Sequence, residues 1–157
     1  MDSLDIRFAK ASDASQIASL INAAFRSERF FIDADRTDPD KVAALLQNGK
    51  FLLLHSGDVL VGCVYSELRG ERGYFGLLAV DPSRQRTGLG GKLIAAAEDY
   101  CRAAGCLFMD LTFVNVRQEL PGYYGRFGYE ENGTLPFPTD QAVPKIPVYL
   151  VRMSKTL

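Results

Sequence analysis

The stretch Asp81-Pro82-Ser83-Arg84-Gln85-Arg86-Thr87-Gly88-Leu89-Gly90-Gly91-Lys92-Leu93 constrains this chain more than any other, because it joins a predicted strand, Tyr74–Val80, to a helical pattern that opens on three glycines. Glycine costs roughly 1 kcal/mol against alanine in a helix interior and less in the first turn, so helix stability gives no reason to place three there. Either the turn needs permissive backbone, or something approaches it closely. A helix start exposes unpaired N–H groups at the positive end of the helix dipole, so the expected visitor is an anionic phosphate, with Arg84, Arg86 and Lys92 adding positive charge. Two familiar phosphate loops do not fit. A Walker loop needs glycine at position 86 and a hydroxyl residue after Lys92, where Arg86 and Leu93 stand; a dinucleotide fingerprint starting at Gly88 needs glycine at Leu93.

The rest of the chain supplies a frame for that junction. Ile6 and Phe8 alternate with polar neighbours as a first strand, and Asp13 with Gln16 reads as a capping box ahead of Ile17, Leu20 and Ile21. Asp38-Pro39 caps a second helix through Val42 and Leu45. Between them, Phe30, Phe31 and Ile32 sit in a loop, as a pocket wall or as a staple onto the core. Phe51–His55 and Val59–Leu68 flank a Ser56-Gly57-Asp58 turn and predict a hairpin, joined by the third strand Tyr74–Val80. The helix from Gly88 runs to Gly105, and a strand follows at Leu107–Val114. Strand, helix, strand makes a right-handed parallel crossover, so the sheet must be mixed. A short helix near Glu119–Phe127 and late strands at Glu130–Leu135 and Pro147–Met153 complete a single α/β (α+β) domain over residues 1–157.

Composition removes several classes of function. A net charge of -1 and a pI near 5.8 lack the one-sided positive field of a nucleic-acid binder. No apolar run approaches the roughly 18 to 20 residues that span a bilayer, and the start of the chain is acidic, so a cytoplasmic location without a membrane partner is expected. Cys63, Cys101 and Cys106 lack metal-ligand spacing and only His55 offers imidazole, so the cysteines are expected to be reduced and buried, with no metal. His55, at the end of a strand, is expected at the surface.

The turn matches Q/R-x-x-G-x-G/A at Gln85, Gly88 and Gly90. Downstream, Tyr124-Gly125-Arg126-Phe127-Gly128-Tyr129 matches Y-x-x-x-G-F/Y. In these two motifs and their order the chain resembles the GNAT superfamily of N-acetyltransferases over Val59–Tyr129. The resemblance implies a mixed, mostly antiparallel central sheet of about six to seven strands flanked by about four helices, and acetyl-CoA as cosubstrate. It also implies that the backbone of Arg86, Thr87, Gly88, Leu89, Gly90 and Gly91 holds the pyrophosphate, with Gln85 opening the turn. Leu78, Ala79 and Val80 would pair their main chain with the pantetheine arm, the Leu78 amide would face the thioester oxygen, and Tyr124 would protonate the departing thiolate. Tyr123 and Tyr124 could instead simply pack the short helix.

Two points depart from the family pattern. The asparagine often found seven residues before the tyrosine is replaced by Arg117, with Asn115 two residues earlier; either could reach CoA, or Arg117 could meet an acidic group of the acceptor. The strand Tyr74–Val80 also contains no acid. An amine of pKa near 10.4 must lose a proton at a cost of roughly 4.6 kcal/mol at pH 7, so Glu67 and Glu28 are the candidate bases, unless they are solvated surface charges. With no cysteine inside either motif, direct attack by a small-molecule amine in a ternary complex is the expected chemistry. A CoA-binding regulatory module, or acetylation of a protein N-terminus or lysine, remains the alternative. Acceptor identity is expected to lie in the loops Phe25–Asp38 and Phe137–Val148. A homodimer is possible for folds of this kind.

Overall fold

A computed structural model describes residues 3–138 and 143–157, so residues 139–142 of the expected acceptor loop lie outside the described residues. Among these residues four α-helices and seven strands follow in the order β1 (Leu4–Phe8), α1 (Ala14–Ala24), α2 (Pro39–Leu45), β2 (Lys50–Ser56), β3 (Val59–Arg69), β4 (Arg72–Val80), α3 (Leu89–Ala103), β5 (Phe108–Val114), α4 (Leu120–Gly125), β6 (Glu130–Pro136) and β7 (Tyr149–Thr156). The sheet order is β1-β2-β3-β4-β5-β7-β6, with β7 inserted between β5 and β6. Among the described residues only the β4–β5 pair is parallel, as the intervening α3 crossover requires.

Alternation along the strands divides the core into two layers. Phe75, Met109 and Leu111 pack under Leu93, Ile94 and Ala97 of α3, while Phe51, Leu53 and Tyr65 face Ile17, Ile21 and Val42 of α1 and α2. All three cysteines are free and buried. Phe31 is fully buried, whereas its neighbour Phe30 is exposed. No helix among the described residues is long and apolar enough to cross a membrane.

The helix starts follow two different rules. Asp38 caps α2 as expected, its Oδ1 accepting from the Lys41 N–H at 2.8 Å. The expected Asp13–Gln16 capping box does not form. Asp13 turns backwards, accepting from the Lys10 N–H at 2.7 Å and from the Arg7 guanidinium at 2.9 and 3.0 Å. A charged partner on β1 outcompetes the helix amides for the same carboxylate, and a 3-10 turn at Ala11–Asp13 precedes the helix instead.

Candidate active site

The site begins with a divergence of two strands. β4 and β5 pair only at Arg72 with Phe108, Gly73 with Met109 and Tyr74 with Asp110. Beyond Tyr74 the edge of β4 that faces β5 has no ladder partner. On the other edge, register against β3 slips between Cys63 and Tyr65, where Leu77 takes a left-handed φ of 51°. This bulge adds a residue to β4 and bends it away from β5. A non-glycine residue in that region carries strain of order 1 kcal/mol or more, a cost concentrated where strand direction matters.

The opened wedge forms part of a cleft of about 1450 Å³, room for a ligand larger than most drug-sized molecules occupy. Leu78 and Val80 line it from β4, Leu111 to Val114 from β5, and Tyr123, Tyr124 and Phe127 from α4 and the turn after it. Ala79 points the other way, into the layer under α1. Of the three β4 residues expected to pair with a pantetheine arm, two therefore show their side chains to the cleft, and Ala79 could contribute only main chain.

At the wide end of the cleft lies the glycine-rich turn. Gln85 closes it by donating from Nε2 to the Val80 carbonyl at 3.3 Å, and Thr87 Oγ1 donates to the Arg84 carbonyl. Arg86 and Gly88 then adopt left-handed φ values of 67° and 84°, aiming the following amides outward. The N–H groups of Thr87, Gly88, Leu89, Gly90 and Gly91 meet no acceptor among the described residues, and the first helical bond runs from the Lys92 N–H to the Gly88 carbonyl at 3.3 Å. Arg84, Gln85 and Arg86 line the same end. A fan of free amides beside two guanidinium groups suits a pyrophosphate, so the residues present fit the expected cosubstrate.

Gly90 has a second reason to be glycine. A Cβ there would collide with the Tyr123 hydroxyl, which leans onto the start of α3 from α4. The close approach expected from the glycines is thus made in part by the protein's own aromatic side chain. Tyr123, for which the sequence offers only helix packing beside Tyr124, thus also shapes the start of α3.

Tyr124 stands between the two strands. Its ring packs edge-on against Phe75 at 6.0 Å and tilted against Phe113 at 6.2 Å, so both walls of the wedge hold it. No acceptor among the described residues meets its hydroxyl. Burial, reinforced by neighbouring Tyr123, pushes the phenol's pKa well above its usual value, which keeps the proton in place at any ordinary pH.

The acidic and cationic candidates separate cleanly. Glu67 is absent from the lining of the cleft; it accepts from Tyr65 Oη at 2.6 Å and from Arg69 Nε at 2.9 Å. Burial would raise its pKa, but those two donors outweigh it and hold the carboxyl below its usual range. Glu28 does line the cleft, is 7% exposed, and takes 2.7 Å from Arg117 Nη1 to its Oε2. Burial pushes its pKa up, only partly offset by Arg117 and Arg36. Arg117 also lines the cleft, committed to Glu28 and, at 2.6 Å, to Glu119. Asn115 is occupied elsewhere, its side chain and N–H bonded to the Tyr149 backbone at 2.9 Å each. His55 lies half-buried on β2, outside the cleft lining.

Comparison with known proteins agrees with this geometry. The chain is 28% identical over 140 residues to the uncharacterized N-acetyltransferase YhfO of Bacillus subtilis, covering 82% of this chain and 91% of that protein. Its fold superposes on yncA of Salmonella typhimurium, solved with its cofactor acetyl-CoA, with a TM-score of 0.75 at 20% identity, covering 99% of this chain and 95% of that one. It superposes equally on the ribosomal-protein-S18-alanine N-acetyltransferase of Escherichia coli, with a TM-score of 0.78 at 15% identity over 98% of this chain and 94% of that one. The model of the acetyltransferase (GNAT) family matches residues 15–129, which contain the wedge, the glycine-rich turn and Tyr124. With fold, motif order and family model in agreement, the chain belongs to the acetyltransferase (GNAT) family and is an N-acetyltransferase by class.

Proposed function

We propose that the protein transfers an acetyl group from acetyl-CoA to a primary amine, with a small molecule as acceptor, by direct attack in a ternary complex. The observation that carries this reading is the divergence of β4 and β5 beside a run of amides that meet no acceptor among the described residues. One end of the cleft offers N–H donors and arginines for a diphosphate, and the open edge of β4 offers main-chain groups for an extended amide-bearing arm. An arm running from those amides along β4 leads its thioester towards Leu78 and Tyr124.

In this arrangement the Leu78 amide faces the thioester oxygen and stabilises the charge that develops there; loss of such a donor elsewhere costs roughly 3–4 kcal/mol. The amine lone pair attacks the acetyl carbon, the C–S bond breaks, and its electron pair leaves on sulfur. Tyr124 supplies the proton that the thiolate takes up. Positioning both reactants in one cleft supplies much of the remaining rate enhancement.

A small acceptor is favoured by how the two acceptor loops meet. The Lys145 N–H donates to the Phe31 carbonyl at 2.6 Å, tying the segment before β7 to the loop between α1 and α2. Ile32, Phe137 and Pro138 add apolar walls near that bridge. A polypeptide acceptor would have to enter past this bridge, whereas a small amine need not displace it.

The test combines binding and turnover. Acetyl-CoA at a hundred times its Kd should stabilise the protein by about 2.7 kcal/mol, read as a rise in Tm. Thiol release should then appear with at least one small amine in a panel that also contains peptides. Tight binding of acetyl-CoA with no release from any amine would replace transfer by a purely cofactor-binding role, and release with peptides alone would replace the acceptor class.

A further inference from the structure

We propose that Glu28 is the base that takes the proton from the acceptor ammonium, and that Arg117 is the positioning residue that holds it there. This inference rests on the acetyl-transfer reading above. It fills the gap left by β4, which carries no acid between Tyr74 and Val80.

Glu28 closes a 3-10 turn, Phe25–Glu28, at the end of α1, and its side chain reaches the cleft from the α1 side of the sheet. Its two oxygens have different surroundings. Oε2 is engaged by Arg117, while Oε1 meets no donor among the described residues. No buried side-chain oxygen among those residues is left without a partner, so Oε1 keeps contact with solvent, and Glu28 lines the cleft. A half-paired carboxylate at the wall of a cleft is suited to receive an ammonium with its free oxygen.

The acid and the base face a common space. Tyr124 lines the cleft from α4, and its electrostatic environment includes both Glu28 and Arg117. Arg117 lies in the turn between β5 and α4, donating its N–H to the Val114 carbonyl at 3.0 Å and accepting from Leu120 at 3.2 Å. The guanidinium therefore spans from the tyrosine-bearing element to the α1 loop. Around Glu28 the charged and titratable groups are Arg117 and Glu119 from that turn, Arg36 from the loop before α2, and the phenol of Tyr124 across the cleft.

The proton balance closes. Oε1 accepts one proton from R–NH3+, leaving the lone pair that forms the C–N bond. When the C–S bond breaks, sulfur takes a proton from Tyr124, and the second amine proton, released as the amide forms, restores the phenol. The proton on Glu28 leaves to solvent after product departure. Desolvation makes the Glu28 carboxylate more basic than an exposed one, and Arg117 limits that rise.

The test is the pH profile of kcat/KM, measured by thiol release with an amine that the panel shows to be active. Glu28→Gln should lower kcat/KM about 100-fold or more at pH 7. The deficit should shrink about tenfold per pH unit above that, because the amine is increasingly neutral in solution and needs no base. Arg117→Gln should move the acidic limb to higher pH, since it removes a group that lowers the Glu28 pKa, and Arg117→Lys should move it less. Acetyl-CoA should raise the Tm of both Glu28→Gln and wild type alike, which also verifies that the variant folds. A loss in Glu28→Gln that is the same at every pH, or an unmoved limb in Arg117→Gln, overturns the proposal. Absence of turnover in the wild type with acetyl-CoA bound would instead remove the transfer reading, and the base with it.

Discussion

The guanidinium of Arg72 grips the carboxylate of Asp110 through two hydrogen bonds of 2.7 Å each, at the rungs where β4 and β5 are still paired. Beyond them the strands part. The side-by-side geometry of this pair makes it a clamp at the closed end of the wedge, and Ser154 Oγ adds a third donor to Asp110 from β7. Burial would raise the Asp110 pKa, but Arg72 and Ser154 overcome it and hold the carboxyl below its usual range.

Breaking the clamp should therefore loosen the wedge without touching the cleft lining. We expect Asp110→Ala to destabilise the protein by roughly 1–2 kcal/mol, since the pair is partly exposed and screened. The KM for acetyl-CoA should rise more than kcat falls. Chemical denaturation together with steady-state kinetics would check both, and an unchanged KM would show that the β4–β5 divergence does not depend on this clamp.

Tyr124→Phe keeps the ring contacts with Phe75 and Phe113 and removes only the proton. Its kcat should drop about 100-fold at neutral pH, the lower end of the range for loss of a general acid. The thermal protection by acetyl-CoA should persist. A variant with wild-type kcat would leave the tyrosine as packing alone.

Gly90 and Tyr123 should be coupled. Gly90→Ala places a Cβ against the Tyr123 hydroxyl, and overpacking of this kind costs roughly 1–3 kcal/mol. In a Tyr123→Phe background the hydroxyl is gone and most of that cost should vanish, which a double-mutant cycle in urea would measure. Gly90→Asp, which sets a carboxylate among the amides, should abolish the protection by acetyl-CoA in either background.

Asp13 gives a stability effect with a defined pH window. The Arg7 guanidinium holds its pKa down to about 2, outweighing the opposing effect of burial, with the Lys10 N–H assisting. A depressed folded-state pKa contributes stability that is fully present above the unfolded value of about 3.9 and is lost as pH falls through the folded value. Asp13→Asn should therefore lower the Tm at pH 6 and make progressively less difference between about pH 4 and pH 2. A constant deficit across that range would assign the effect to lost hydrogen bonds rather than to charge.

The features legible in the amino-acid sequence are those set by interactions over a few residues. Gly88 after Arg86, followed by an apolar period through Leu93 and Ile94, dictates a left-handed entry and a helix whose first amides are free, because backbone geometry and helix hydrogen bonding are local. Asp38 capping Lys41 belongs to the same class, and so does the spacing that singled out Tyr124. Only tertiary structure separates Glu28, which lines the cleft, from Glu67, which does not. Each is a glutamate on a mixed polar and apolar segment, and what separates them is a partner: Arg117 is 89 residues from Glu28, whereas Tyr65 and Arg69 flank Glu67 closely. The same holds for Asp13, drawn from its helix by Arg7 on β1, for the Leu77 bulge, and for β7 settling between β5 and β6. Charge pairing, burial and strand registry act between segments that only the folded chain brings together, and no periodicity along the sequence encodes which of two equivalent carboxylates will face the cleft.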